Sequence, residues 1–240
     1  MNEAITYRTL RREDYPAITQ MLCDAWHTNP TMDHDLEMKL AEIDLEHCLG
    51  RATAAQVAVS AGDVVGVVLG RIDSHETRNG LNSHHVRNMR LLTSLLASSR
   101  GRKALLDMKH YEDTNLKMIA EAKKDGHAYQ GELVLLLVRP DMRGNGVGAH
   151  LFEWMTDRFR QAGVERYFLF TDSACDYSFY DKAGLTRRAE SIVLDNEPHT
   201  PKEDAEVHAE HDALDDHLHA FVYDNETSPA NEGVNPLGRD

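Results

Sequence analysis

The chain has 240 residues and a formal net charge of -14, which suits one large α/β domain or one domain with insertions. The acidic balance argues against general nucleic-acid binding, and no apolar run is long enough to span a bilayer. The start Met1-Asn2-Glu3-Ala4-Ile5-Thr6 lacks the basic and apolar regions of a signal peptide, so a cytoplasmic location is expected. In chain order, Ile5 to Leu10 predicts a first strand, followed by a helix from Arg12 with Pro16 tolerated in its first turn. Ile18, Leu22, Ala25 and Trp26 would give that helix its core face. Residues 27–32 read as a loop, and Leu36 to Leu49 as a second helix ending at Gly50. Gln56 to Ser60 and Val64 to Gly70 predict a hairpin with Gly62-Asp63 at its turn.

From Arg71 to Gln130 no strand is expected. Leucine pairs at 91–92, 95–96 and 105–106 suggest helices interrupted near Ser98 to Gly101, with another helix from Asp113 to Ala122. A structureless connection of this length would be improbable, so the pattern reads as an inserted helical subdomain. The segment 74–129 has ten Lys and Arg against six Asp and Glu. This modest positive balance could face an acidic element or substrate, or be a solvated helix face.

Glu132 to Val138 is a short, continuous apolar run that predicts a strand buried on both faces. Val147, Leu151, Trp154, Met155, Arg158 and Ala162 then recur at helical spacing up to a stop at Gly163. Between them, Arg143-Gly144-Asn145-Gly146-Val147-Gly148-Ala149 puts three glycines on a strand-to-helix turn. Unpaired amides and the positive end of the helix dipole meet there, so an anion such as a pyrophosphate can be held without a lysine. Ala149-His150 after Gly148 excludes a Walker loop, which ends in Gly-Lys-Ser/Thr. The spacer after the strand and the lack of an acidic strand end about twenty residues on argue against a dinucleotide fingerprint. A glycine turn without a ligand is the other reading.

These residues resemble the GCN5-related N-acetyltransferase (GNAT) family, whose central motif is Arg/Gln-x-x-Gly-x-Gly/Ala after a strand ending in Val-x-Pro. Here the motif reads Val138-Arg139-Pro140 followed by Arg143 to Gly148. Arg166 to Thr171 reads as the next strand. Tyr177-Ser178-Phe179-Tyr180-Asp181-Lys182-Ala183-Gly184-Leu185 resembles the family's Phe-Tyr-x-x-x-Gly-Phe helix, with Leu185 in place of the usual Phe. The resemblance covers Glu132 to Leu185. It implies an α/β fold with a mixed central sheet flanked by helices, and a single acetyltransferase domain over residues 1–223. The helical insertion at about 74–129 departs from the family pattern; it would shape the acceptor pocket or bury its leucines in a homodimer contact.

What the resemblance implies for chemistry is transfer of an acetyl group from acetyl-CoA to a primary amine by direct attack. A non-catalytic acyl-CoA-binding sensor or scaffold is the alternative. Leu136, Leu137 and Val138 would offer a strand edge to the pantetheine arm, and the backbone near Val138 would face the thioester carbonyl. Arg143, Gly144, Asn145, Gly146, Val147, Gly148 and Ala149 would receive the pyrophosphate, with Arg143 contacting phosphate or capping the turn. A side chain at Gly144 or Gly146 would block the approach. Tyr180 would protonate the departing thiolate, its other role being a core tyrosine. Ser173 and Asp176 fall where relatives place a polar residue, often Asn, against the cofactor arm. Glu132 is a candidate base, beside two other readings: a solvent-facing strand-end carboxylate, or ordered water doing the work.

The C-terminal part predicts two more strands, Arg187 to Leu194 and His217 to Tyr223, around a polar loop, with a disordered tail after Asp224. Thirteen acidic and two basic residues lie from Leu194 onward, so most of the net charge is there. His199, His208, Glu210 and His211 in the loop match no defined ligand spacing. Cys23, Cys48 and Cys175 form neither a disulfide framework nor a Cys-x-x-Cys site, and Cys175 reads as a core thiol. No metal is expected.

Overall fold

The computed structural model describes residues 4–28, 32–75, 83–124, 126, 128–193 and 217–225. The loop with His199, His208, Glu210 and His211, and the tail from residue 226, lie outside them. The chain divides into two compact units, one formed by Met1–Leu105 with Gln130–Glu165, the other by Leu106–Tyr129 with Arg166–Asp240.

In the first unit, β1 (Thr6–Thr9), β2 (Ala54–Ser60), β3 (Asp63–Ile72) and β4 (Gly131–Val138) pair antiparallel in that order. Ser60 pairs with Asp63, so the turn residues are Ala61 and Gly62, both at positive φ (55° and 91°), and not the expected Gly62-Asp63. That geometry matches the right-handed twist of the flanking strands, which moves Asp63 into β3. Helix α1 (Tyr15–Trp26) follows a short 3-10 turn at Arg12–Asp14. Asp14 is buried and takes a bidentate bond from Arg8 (2.8 and 2.7 Å) and another from the Arg11 amide (2.7 Å). The α1 core face is Ile18, Met21, Leu22 and Cys23. Trp26, expected on that face, is 43% exposed because it is the last residue of the helix.

Helix α2 (His34–Arg51) runs through Gly50, where a stop was expected. A Cβ at Gly50 would meet the His85 ring at 3.3 Å, so that glycine serves packing and not termination. Its Leu45 and Leu49 join Ile18, Leu22, Val67, Leu69 and Leu135 in the core. Helix α3 (Ser83–Leu95) is tied to α2 through Glu46, which is buried, hydrogen-bonded to His84 Nδ1 (2.7 Å) and ion-paired with Arg87 Nε (3.1 Å). After a break at 96–98, α4 (Ser99–Ala122) is one continuous helix of 24 residues, where two shorter ones were expected. Helix α5 (Val147–Gln161) ends before Gly163 at φ 72°, as expected. It lies close on β3: a Cβ on Gly70 would come within 2.4 Å of Met155, a clash with a core side chain.

In the second unit, β5 (Tyr167–Asp172) and β6 (Thr186–Val193) both pair antiparallel with β7 (Leu218–Asp224). Met118, Ile119 and Ala122 of α4 pack with Tyr129, Phe168, Val193, Ala220 and Val222. Buried Asp224 accepts bonds from Tyr129 Oη (2.9 Å) and Arg188 Nε (2.9 Å). The end of α4 is therefore core material of this unit. The short helix α6 (Ser178–Lys182) stands between β5 and β6 in sequence.

Candidate active site

The glycine turn starts where β4 loses its cover. Gly131 to Leu133 are buried, whereas Leu136, Leu137 and Val138 are only partly so. The strand is thus not buried along its whole length as expected. Leu136, Leu137 and Val138 pair with Val68, Val67 and Gly66 of β3. A 3-10 turn at Pro140–Met142 follows, and the Arg143 amide closes it on the Pro140 carbonyl at 3.1 Å. Arg139 is committed to Asp141 through two bonds (2.6 and 2.9 Å), while Arg143 is exposed. Asn145 Nδ2 donates to the Met142 and Arg143 carbonyls, both at 3.3 Å, and so holds the turn from inside.

The three glycines are there for different reasons. Gly144 and Gly146 both have φ 76°, a conformation that side chains rarely adopt, and a Cβ on either would meet open space. Their identity follows from the backbone, whatever approaches it. Gly148 lies inside α5 with no such constraint, and its Cβ would make only an ordinary 3.6 Å contact with Val138. Among the described residues no neighbour requires glycine there. The first amide bonded inside the helix is that of His150, to the Gly146 carbonyl at 3.0 Å. The amides of Val147, Gly148 and Ala149 have no helical acceptor and point out of the positive end of the dipole. Val147 is buried beneath this turn, and the exposed His150 ring stacks on Tyr7 of β1 at 3.6 Å, a brace that the sequence did not reveal.

Glu132 stands at the other end of β4. Val138 lies six positions further on, about 20 Å along a strand. It is 2% exposed, so the solvent-facing reading fails. Its carboxylate bonds Arg51 of α2 and lies 3.3 Å from Arg71 Nε of β3, clamping three elements together. Burial raises its pKa against the opposing pull of the two guanidinium groups.

In the second unit, Tyr180 is 9% exposed on α6, its ring 5.4 Å from Phe179 and 5.8 Å from Tyr223. Burial pushes its pKa well up, and Cys175, Asp176 and Asp172 add to the shift. The phenol therefore stays protonated at neutral pH and can act as a donor. Asp176 accepts from the Ser178 hydroxyl (2.8 Å) at the start of α6. Ser173 is tied to β7: its amide donates to the His219 carbonyl (2.8 Å), and its hydroxyl accepts from the His219 amide (3.0 Å). Sequence reasoning missed Asp172, the last residue of β5. It accepts from the Ala174 amide (3.0 Å) and faces Tyr111 Oη at 3.4 Å, and burial raises its pKa. An aspartate ending an aromatic strand carries no signal of this environment, to which Tyr111 of α4, distant in sequence, contributes.

Residues 109–185 match the model of the Acetyltransferase (GNAT) family, which bears out the resemblance read from the motif. No curated protein sequence matches the chain. Among solved structures, a polyamine N-acetyltransferase from Drosophila melanogaster is similar at 15% identity and a TM-score of 0.53, over 92% of this chain and 99% of that one. The ribosomal-protein-S18-alanine N-acetyltransferase from Escherichia coli is similar at 13% identity and a TM-score of 0.48, over 96% and 99%. A GNAT family acetyltransferase from Brucella melitensis, solved in complex with acetyl-CoA, gives 14% identity and a TM-score of 0.40, over 77% and 84%. The first of these likenesses shows a shared α/β fold. Among the described residues no helix is long and apolar enough to cross a membrane.

Proposed function

We propose that this chain, whose residues 109–185 carry the GNAT acetyltransferase signature, is a cytoplasmic N-acetyltransferase acting on a primary amine. The observation that carries the proposal is Gly148, a glycine on the first turn of α5 that the protein's own packing does not require. Beside it, the outward amides of Val147, Gly148 and Ala149 suit a pyrophosphate, and exposed Arg143 supplies a positive charge at the same turn. Acetyl-CoA, when bound there, supplies an acetyl thioester. The β4 backbone from Leu136 to Val138 hydrogen-bonds the amide-bearing arm, and an amide near Val138 stabilises the charge that develops on the thioester oxygen. Tyr180 gives its phenolic proton to the departing sulfur as the amine nitrogen takes the acetyl group. The ammonium proton leaves to solvent water, because Glu132 is held by Arg51 and Arg71 at the far end of β4. Ser173 and Asp176 act by fixing the approach to α6 through His219 and Ser178.

The test is release of free thiol from acetyl-CoA in the presence of a panel of amines and amino-terminal peptides. Release that requires an amine and saturates in both components supports the proposal. Saturable CoA binding with no thiol release across the panel would sink the enzymatic reading in favour of a binding module.

A further inference from the structure

Outside the proposed acetyl-transfer machinery, helices α1 and α2 bring three unlike donor groups to one place. The Cys23 Sγ, one imidazole nitrogen of His34 and one carboxylate oxygen of Glu37 all lie within 4.8 Å of one another. His34 and Glu37 stand three residues apart at the start of α2, so both side chains lie on the same face. Cys23 reaches them from the last turns of α1 and is 3% exposed. The carboxylate is 12% exposed and the imidazole 67%, with 3.6 Å between their nearest ligand atoms. The three donors thus run from a buried sulfur to an open imidazole.

We propose that Cys23, His34 and Glu37 form a binding site for a divalent transition metal of the zinc class, with water as the fourth ligand. A sulfur, nitrogen and oxygen set in a three-plus-water arrangement fits zinc and cobalt, whereas magnesium and calcium take oxygen donors. Ligand contacts of about 2.0 to 2.3 Å require the donors to close in slightly, a motion open to the long Glu37 and exposed His34 side chains. Binding breaks the Cys23 S–H bond, so the thiolate joins the metal and one proton goes to solvent for each ion bound. Because that proton must leave, loading strengthens as pH rises. The bound ion would staple the end of α1 to the start of α2.

Cobalt(II) titration of the full chain at about pH 8 tests the site. A thiolate-to-cobalt charge-transfer band with tetrahedral d–d bands, saturating near one ion per chain and displaced by zinc, is the expected result. The charge-transfer band separates this site from the histidines of residues 194–216, which have no cysteine among them. His34→Ala and Glu37→Gln alter side chains that are not core packing, so they keep the fold and should weaken loading at least about ten- to a hundredfold. Cys23→Ser should lose the charge-transfer band, and if that core variant does not fold, the other two decide. Absence of the band in the wild type, or a band unchanged in both His34→Ala and Glu37→Gln, would overturn the assignment.

Discussion

The glycine turn before α5 and the end of β5 before α6 work by opposite physical means. The turn presents backbone: Gly144 and Gly146 at positive φ, outward amides, and an exposed arginine as its charge. The end of β5 presents the half-buried Asp172 and the buried Tyr180, whose pKa values are both raised by desolvation. A site built from backbone dipoles suits a ligand that arrives already charged. A buried phenol suits a step in which charge appears on a sulfur only as a bond breaks. Under the proposed function the first region serves affinity and the second turnover, and substitutions can separate the two.

The largest effect is expected at Tyr180. Tyr180→Phe should lower turnover about ten- to a thousandfold while CoA affinity stays nearly unchanged. Because burial raises the phenol pKa, wild-type turnover should show no alkaline loss as pH passes about 10, the ordinary value for tyrosine. Steady-state rates beside calorimetric affinities check both statements, and a variant that loses binding as much as rate would break the division of labour.

A smaller effect, on stability alone, is expected at Glu132. Glu132→Gln leaves Arg51 and Arg71 without their shared carboxylate, and their partial exposure reduces the cost to about 1–3 kcal/mol in urea unfolding. CoA affinity and the rate per folded molecule should hold. A rate loss that persists in fully folded Glu132→Gln would return the carboxylate to the chemistry.

Asp14 gives the smallest effect. Hydrogen bonding to Arg8 lowers its pKa, so its contribution is present above the ordinary carboxylate value and is lost as pH falls through the depressed folded one. Asp14→Asn should cost about 1–2 kcal/mol at pH 7 and progressively less toward pH 3. A stability difference that does not shrink with acid would contradict the ion pair.

The same contrast explains what the sequence made legible. Gly144, Gly146 and Gly163 were readable because backbone geometry is local and only glycine adopts positive φ freely. The strands and α5 were readable from periodicity, and the GNAT resemblance came from contiguous residues. Gly50 was misread because its reason is the His85 ring, distant in sequence. Trp26 was misread because periodicity does not say where a helix runs out of neighbours to cover it. Glu132 and Asp172 look like ordinary strand-end acids until Arg51 of α2 meets the first and Tyr111 of α4 the second. Burial made by elements far along the chain leaves no local trace.

The most direct measurement is calorimetric titration of CoA into the wild type, Gly148→Ala and Gly148→Glu. A Cβ at Gly148 meets only Val138 at 3.6 Å, so both variants should fold like the wild type, verified by circular dichroism and unfolding midpoint. Gly148→Ala should retain measurable binding. Gly148→Glu sets a carboxylate beside the outward amides and should weaken CoA at least about a hundredfold through repulsion and exclusion of the pyrophosphate. A folded Gly148→Glu chain that binds CoA as the wild type does would contradict the assignment of the glycine turn, and with it the proposed function.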